Sequence, residues 1–275
     1  MQTPDLEPKQ GSPATLVARL KNYLEPFDPD GPSKWRGAND EDIAEYERLC
    51  SMSAGRQLPA SYLTYLRSLG EANGDLFGDF KLVTELPRLI KLYRGASDLE
   101  PFSSDFPVCS TYVIGDQISL DLRGEGEPPV AETTNGTWYS ELSKSWEALV
   151  MQAAIKRVEA RRLPLCRWLS RSREGLEKAL GKDDAVQKMQ ALLERFGEAR
   201  GMHRVWASDS RHHILIDEHH CLYSRGDGLG AVIMNIFTSE QSFLDEVQSQ
   251  LEPLLGAGRS GRAGLVDGRL TDLGR

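Results

Sequence analysis

Between Gln117 and Arg123, polar and apolar residues alternate without a break, with Ile118, Leu120 and Leu122 set between Gln117, Ser119, Asp121 and Arg123. A period of two with one polar face marks a half-buried antiparallel strand. Gly115-Asp116 places a turn just before it. Asn135-Gly136, inside "PPVAETTNGTWYSEL" (128–142), is the strongest short hairpin signal available. A further strand is expected in "DFKLVTEL" (79–86), so the middle of the chain is committed to an antiparallel sheet.

Helical signals flank that sheet. "LVARLKNYLEPF" (16–27) carries Leu16, Leu20, Tyr23 and Leu24 on one stripe, and "DPDGPS" (28–33) breaks it. In "GANDEDIAEYERLC" (37–50), Asn39 is placed to cap a helix whose first turn holds Asp40, Glu41 and Asp42, where the dipole favours carboxylates. "QLPASYLTYLRSLGEANG" (57–74) spaces Tyr62, Tyr65, Leu66 and Leu69 at i, i+3, i+4 and i+7; Pro59 suits its start and Gly70 a left-handed stop. A short helix follows in "LPRLIKLYRGA" (86–96). "SKSWEALVMQAAIKRVEAR" (143–161) closes the region with a helix bearing Trp146, Leu149, Val150, Ala153 and Ala154. Helices, then an antiparallel sheet, then a helix make an α+β domain.

Beyond it, "KRVEARRLPLCRWLSRSR" (156–173) is strongly basic and Pro164 interrupts any helix, which places a junction there. Helices are expected in "GLEKALG" and 183–197, strands near 203–207, 212–217, 220–225 and 230–237, and a last helix capped by Thr238 with Gln241 three residues on. The predicted organisation is a lead with a short helix (1–34), an α+β binding domain (35–162), a linker or helical junction (163–182), a smaller αββββα-type α+β domain (183–255) and a disordered Gly/Arg-rich tail (256–275).

At 275 residues, two domains are the natural expectation. The net charge of −8 is uneven: residues 1–155 hold 24 acidic and 14 basic side chains, the remainder 17 and 19. An acidic first half argues against direct nucleic-acid binding, which needs Lys and Arg at phosphates, and suits a basic protein partner. Cys50, Cys109, Cys166 and Cys221 form no C-x-x-C pair and fit buried thiols in a reducing compartment. The start lacks the basic and apolar regions of a signal peptide, and "LGAVIMNIF" (229–237) is too short to span a membrane, so a cytoplasmic location is expected.

In order, "DEDIAEYERL", "LPASYLTYLRSLGEANG", "FKLV", "GDQISLDL", "PPV" and the Trp-centred "SKSWEALVMQ" resemble the SMI1/KNR4 family, also called the SUKH superfamily. Its pattern is an E-x-x-I helix, L-P-x-x-Y-x-x-F-L-x-x-x-N-G-G, a G-D-x-x-x-L-D strand pair and a closing S-F-x-x-F-L helix. The likeness runs from about Trp35 to Ala154. It departs in an extra "GEA" before Asn73, in "NGD" for the double glycine, and in Trp146 and Leu149 for the closing phenylalanines. The resemblance implies a non-catalytic protein-binding module with no cofactor. Bacterial members look like immunity proteins that neutralise polymorphic toxins, commonly nucleases or deaminases; fungal relatives are regulatory hubs linked to cell-wall synthesis, which makes an adaptor the alternative.

Two sets of residues are candidates for a site. Asp75, Asp79, Asp116, Asp121 and Glu125 fall on turns or on the polar side of expected strands, where carboxylates can meet the basic rim of a toxin's active site. All five histidines, His203, His212, His213, His219 and His220, lie within 18 residues. A tight hairpin turning at Asp217-Glu218 would set His213 and His220 as diagonal neighbours, with His203 as a third metal ligand and a metal-dependent enzyme as the rival function. No H-E-x-x-H or Cys/His zinc spacing supports it. Neither the partner's identity nor the oligomeric state is legible in the residues.

Overall fold

The structure, a computed structural model, describes residues 14–49, 58–78, 82–95, 105–111, 116–122, 126–134, 137–226, 231–255, 259–266 and 269–272. The chain is α+β with antiparallel sheets and divides into two compact units, Pro8–Ala154 and Ile155 onward. Among the described residues no helix is long and apolar enough to cross a membrane.

The first unit contains α1 (Ala14–Leu24), α2 (Asp30–Ser33), α3 (Asp40–Leu49), α4 (Ala60–Leu69), β1 (Leu82–Val83), α5 (Leu86–Gly95), β2 (Asp105–Thr111), β3 (Asp116–Asp121), β4 (Val130–Thr134) and β5 (Thr137–Ser143). Its five strands pair in sequence order, each antiparallel to the next. Thr134 pairs with Thr137 across the Asn135-Gly136 step, which itself lies outside the described residues, as do 112–115. Asn39 Oδ1 accepts the N–H of Asp42 at 2.7 Å, so the cap on α3 forms as its residue type dictates.

The core of this unit is aromatic. Trp146, at the start of α6 (Trp146–Arg162), meets Tyr62 and Tyr65 edge-on, with ring centroids 5.0 and 4.9 Å away, and stacks on Phe77 at 5.7 Å. All four are at most 1% exposed. Beside them Thr84 Oγ1 accepts from Tyr65 Oη at 3.0 Å and from Asn73 Nδ2 at 2.6 Å, while Asn73 Oδ1 accepts the N–H of Leu76. This buried network ties the Leu-Pro helix to the Asn-Gly turn and to the end of β1.

Two expectations here need correction. Gly70 is not left-handed (φ −69°); the left-handed stop is Gly74 (φ 65°), where a Cβ would meet the Gly31 carbonyl oxygen at 2.3 Å. The short helix expected within the 1–34 lead belongs to the domain, because Leu16, Leu20, Tyr23 and Leu24 of α1 are each at most 3% exposed, inside the core; residues 1–13 lie outside the described residues.

The second unit takes the remainder of α6, then β6 (Leu165–Arg171), α7 (Arg173–Leu180), α8 (Ala185–Glu198), β7 (His203–Arg204), β8 (His212–Ile216), β9 (His220–Gly226), β10 (Val232–Thr238), α9 (Gln241–Gln250), α10 (Glu252–Leu255), β11 (Arg259–Val266) and β12 (Arg269–Asp272). The strands form one sheet in the order β12-β11-β6-β10-β9-β8-β7. Leu169, Leu215, Leu222, Met234 and Ile236 on one face join Leu176, Met189, Leu193, Phe196, Phe243 and Val247 from the helices in a single apolar cluster.

Three differences from the sequence reading belong to this unit. The supposed junction 163–182 contains β6, which pairs with β10 along its whole length; its Arg167 is 9% exposed and bonded to Glu252 at 2.7 Å. The supposed tail supplies β11 and β12, with β11 pairing on the other edge of β6 from Arg259↔Trp168 to Arg262↔Leu165. Main-chain pairing needs no apolar side chains, so a Gly/Arg-rich stretch can extend a sheet that offers it an open edge. Thr238 ends β10 and caps no helix: its hydroxyl accepts the N–H of Glu240, and α9 starts at Gln241.

Candidate functional site

Of the acidic candidates of the first unit, only Asp75 and Asp121 have described side chains. Asp79 and Glu125 lie outside the described residues. Asp75 is exposed on the turn after Gly74, itself left-handed (φ 63°), with its carbonyl accepting the N–H of Gly78. Asp116 and Asp121 are the first and last residues of β3.

The register instead groups acids that sequence reasoning missed. Asp121 lies directly opposite Asp105 of β2, and the row Ser119↔Ala131↔Glu141 puts Glu141 of β5 on the same face as Asp121. Glu141 is exposed and Asp121 half-buried. Between Asp105 and Glu147 the sequence holds eight acids against Arg123 and Lys144, a bias that could have marked the sheet. Glu147, in the first turn of α6, has its carboxyl pushed up by burial; Arg19, 3.9 Å away, opposes the rise and Glu127 adds to it.

The histidines of the second unit are dispersed by a turn set one residue later than expected, where the Asp217 N–H donates to the His220 carbonyl at 3.0 Å. The β8–β9 connection spans 217–220, so Ile216 pairs with Cys221 and His213 with Ser224. His213 and His220 are therefore separated by four residues along the sheet, roughly 13 Å, and His203 is exposed on β7 opposite Ile216. Among the described residues no group of three His, Cys, Asp or Glu side chains could hold a metal ion.

Each histidine has its own setting. His220 Nδ1 bonds the Asp217 carboxylate at 2.9 Å, its ring lies 4.0 Å from Phe243, and Nε2 is 3.6 Å from Glu240. Asp217 Oδ1 also accepts the N–H groups of His219 and His220, at 2.6 and 2.7 Å. Burial would raise the Asp217 carboxyl; the His220 ring and these amides outweigh it and hold it below its ordinary value. Arg162 braces the same turn, donating to the carbonyls of Asp217 and Glu218 and to the fully buried Glu159 carboxylate.

His212 and His213 are 0% and 2% exposed, and none of their ring nitrogens has a hydrogen-bond partner. His212 Nδ1 lies 3.4 Å from Asp209, whose Oδ1 is taken by the N–H groups of Arg211 and His212. Burial pushes His212 below its ordinary value, and Asp209 only partly offsets this. His213 is pushed down to about 4, first by burial and then by Arg204, against the pull of Glu194 at 3.8 Å. On the His212 face, burial raises Cys221 and Tyr223. These are neutral core groups, chemically idle near neutrality.

Neither the protein-family models nor the curated proteins compared with this chain give a match.

Proposed function

We propose that the protein is a non-catalytic binding module of the immunity type, which neutralises a basic toxin domain, nuclease or deaminase, by covering its active site. The observation that carries this reading is the order of elements in the first unit. A capped acidic helix, the Leu-Pro helix, a meander of antiparallel strands and a Trp-led closing helix follow the pattern of the SMI1/KNR4 resemblance, and Tyr65, Asn73 and Thr84 interlock its two signature motifs. The acidic bias of the same unit supports a basic partner: between Asp105 and Glu147 the sequence sets eight acids against Arg123 and Lys144.

The mechanism is occlusion, with no bond made or broken. Acidic groups on a rigid sheet steer and hold the basic rim that would otherwise bind nucleic acid. The test is a titration of the full chain against candidate toxin domains, nuclease or deaminase, taking first any that is encoded next to it, with the toxin's own activity as readout. A one-to-one complex that weakens with salt, and weakens further in Asp121→Asn/Glu141→Gln, supports the reading. Binding to a housekeeping protein with no toxin inhibited would favour the regulatory adaptor.

A further inference from the structure

His220 stands between two carboxylates that belong to different elements, and it is bonded to one of them. Its Nδ1 lies 2.9 Å from Asp217 on the β8–β9 turn, while Nε2 lies 3.6 Å from Glu240 at the entry to α9. Phe243, in the first turn of α9, covers the imidazole with its ring centre 4.0 Å away. Nε2 is enclosed and has no hydrogen-bond partner. The Glu240 carboxylate is half exposed and meets no other partner among the described residues.

Asp217 fixes the tautomer. A carboxylate only accepts, and this one is held ionised below its ordinary value, so Nδ1 carries a hydrogen. In the neutral ring the lone pair is then on Nε2, facing a second acceptor, and the two repel. A proton on Nε2 turns that repulsion into a charge-assisted bond and sets a cation against the face of Phe243. The other charged groups nearby are engaged or turned outward. Glu246 is taken by Arg200, Arg162 donates to Glu159 and to the turn carbonyls, and Glu218 and His219 are exposed. We propose that His220 is a proton-operated latch, which in its doubly protonated form bridges Asp217 and Glu240 and so fastens the start of α9 to the β8–β9 turn. The latch is independent of the toxin-binding reading and uses none of its residues.

The test is nitrogen NMR of the full chain with labelled histidine rings, in EDTA, at about pH 8 and about pH 5.5, the interval in which an imidazole ordinarily gains its proton. Amide exchange is read at both values as protection factors for Leu244 and Asp245, whose N–H groups close the first turn of α9. The expected result is a protonated Nε2 at the lower pH, with protection rising about tenfold, the worth of one charged hydrogen bond. Glu240→Gln, at a half-exposed side chain, should keep the fold and abolish the rise, because an amide donates to the neutral ring as readily as it accepts from the charged one. The protonation of His213 acts on parent and variant alike, so the difference between them reads the latch. Equal changes in parent and variant, an Nε2 still unprotonated at the lower pH, or a rise that appears only when zinc replaces EDTA overturns the proposal.

Discussion

Acidification from pH 7 to 4 is expected to weaken the second unit by about 3 kcal/mol through His213 alone. In the unfolded chain His213 takes up its proton near 6.5; in the folded unit it resists until about 4, because burial and Arg204 oppose the charge. The unfolded state therefore binds more protons across that window. Stability is complete above about pH 6.5 and falls as the pH drops toward 4, at about 1.4 kcal/mol per pH unit. His212, displaced in the same direction, steepens the fall. Asp209 is held far below the ordinary carboxylate range, since His212 and the turn amides outweigh its burial, so its share of stability is lost only at lower pH. The assay is urea denaturation at half-unit pH steps, followed by hydrogen exchange at the β8 and β9 amides. His213→Gln removes the titration, so its slope between pH 6.5 and 4 should flatten by one proton even if its stability at pH 7 is lower. A parent protein with flat stability over that range, or a variant with the parental slope, would refute the reasoning.

Other outcomes follow from packing. Gly74→Ala forces a side chain onto a left-handed backbone and against the Gly31 carbonyl, and thermal melts should show a loss of at least about 2 kcal/mol. Trp146→Ala empties the centre of the aromatic core and should cost about 3–5 kcal/mol in urea melts. Tyr65→Phe removes one hydrogen bond while Thr84 keeps Asn73, so its cost should be only about 1 kcal/mol. Arg162→Ala takes from the buried Glu159 its guanidinium partner and from the β8–β9 turn its brace; a loss of about 3 kcal/mol, with faster exchange at 217–220, is the expected reading.

Much of this architecture was legible in local pattern, and what was not depended on distant partners. The Asn39 cap, the stripes of α1 and α4, and the alternation of β3 are local and translate directly into elements. β6 was hidden because Arg167 reads as a linker residue until Glu252, 85 residues away, neutralises it. β11 was hidden because its pairing is main-chain pairing, to which composition is blind. The metal reading failed on the turn. A hairpin turning at Asp217-Glu218 would have set His213 diagonal to His220, whereas the turn falls one residue later, at Glu218-His219, with the Asp217 carboxylate accepting its amides, and the shifted register carries them apart.

The most direct test of the proposed function is the activity of a candidate toxin domain, nuclease or deaminase, measured against increasing amounts of this protein at low and high salt. Complete inhibition at one equivalent, relieved by salt and by the Asp121→Asn/Glu141→Gln pair, is the predicted result. A toxin that stays fully active in a large excess of folded protein would contradict it.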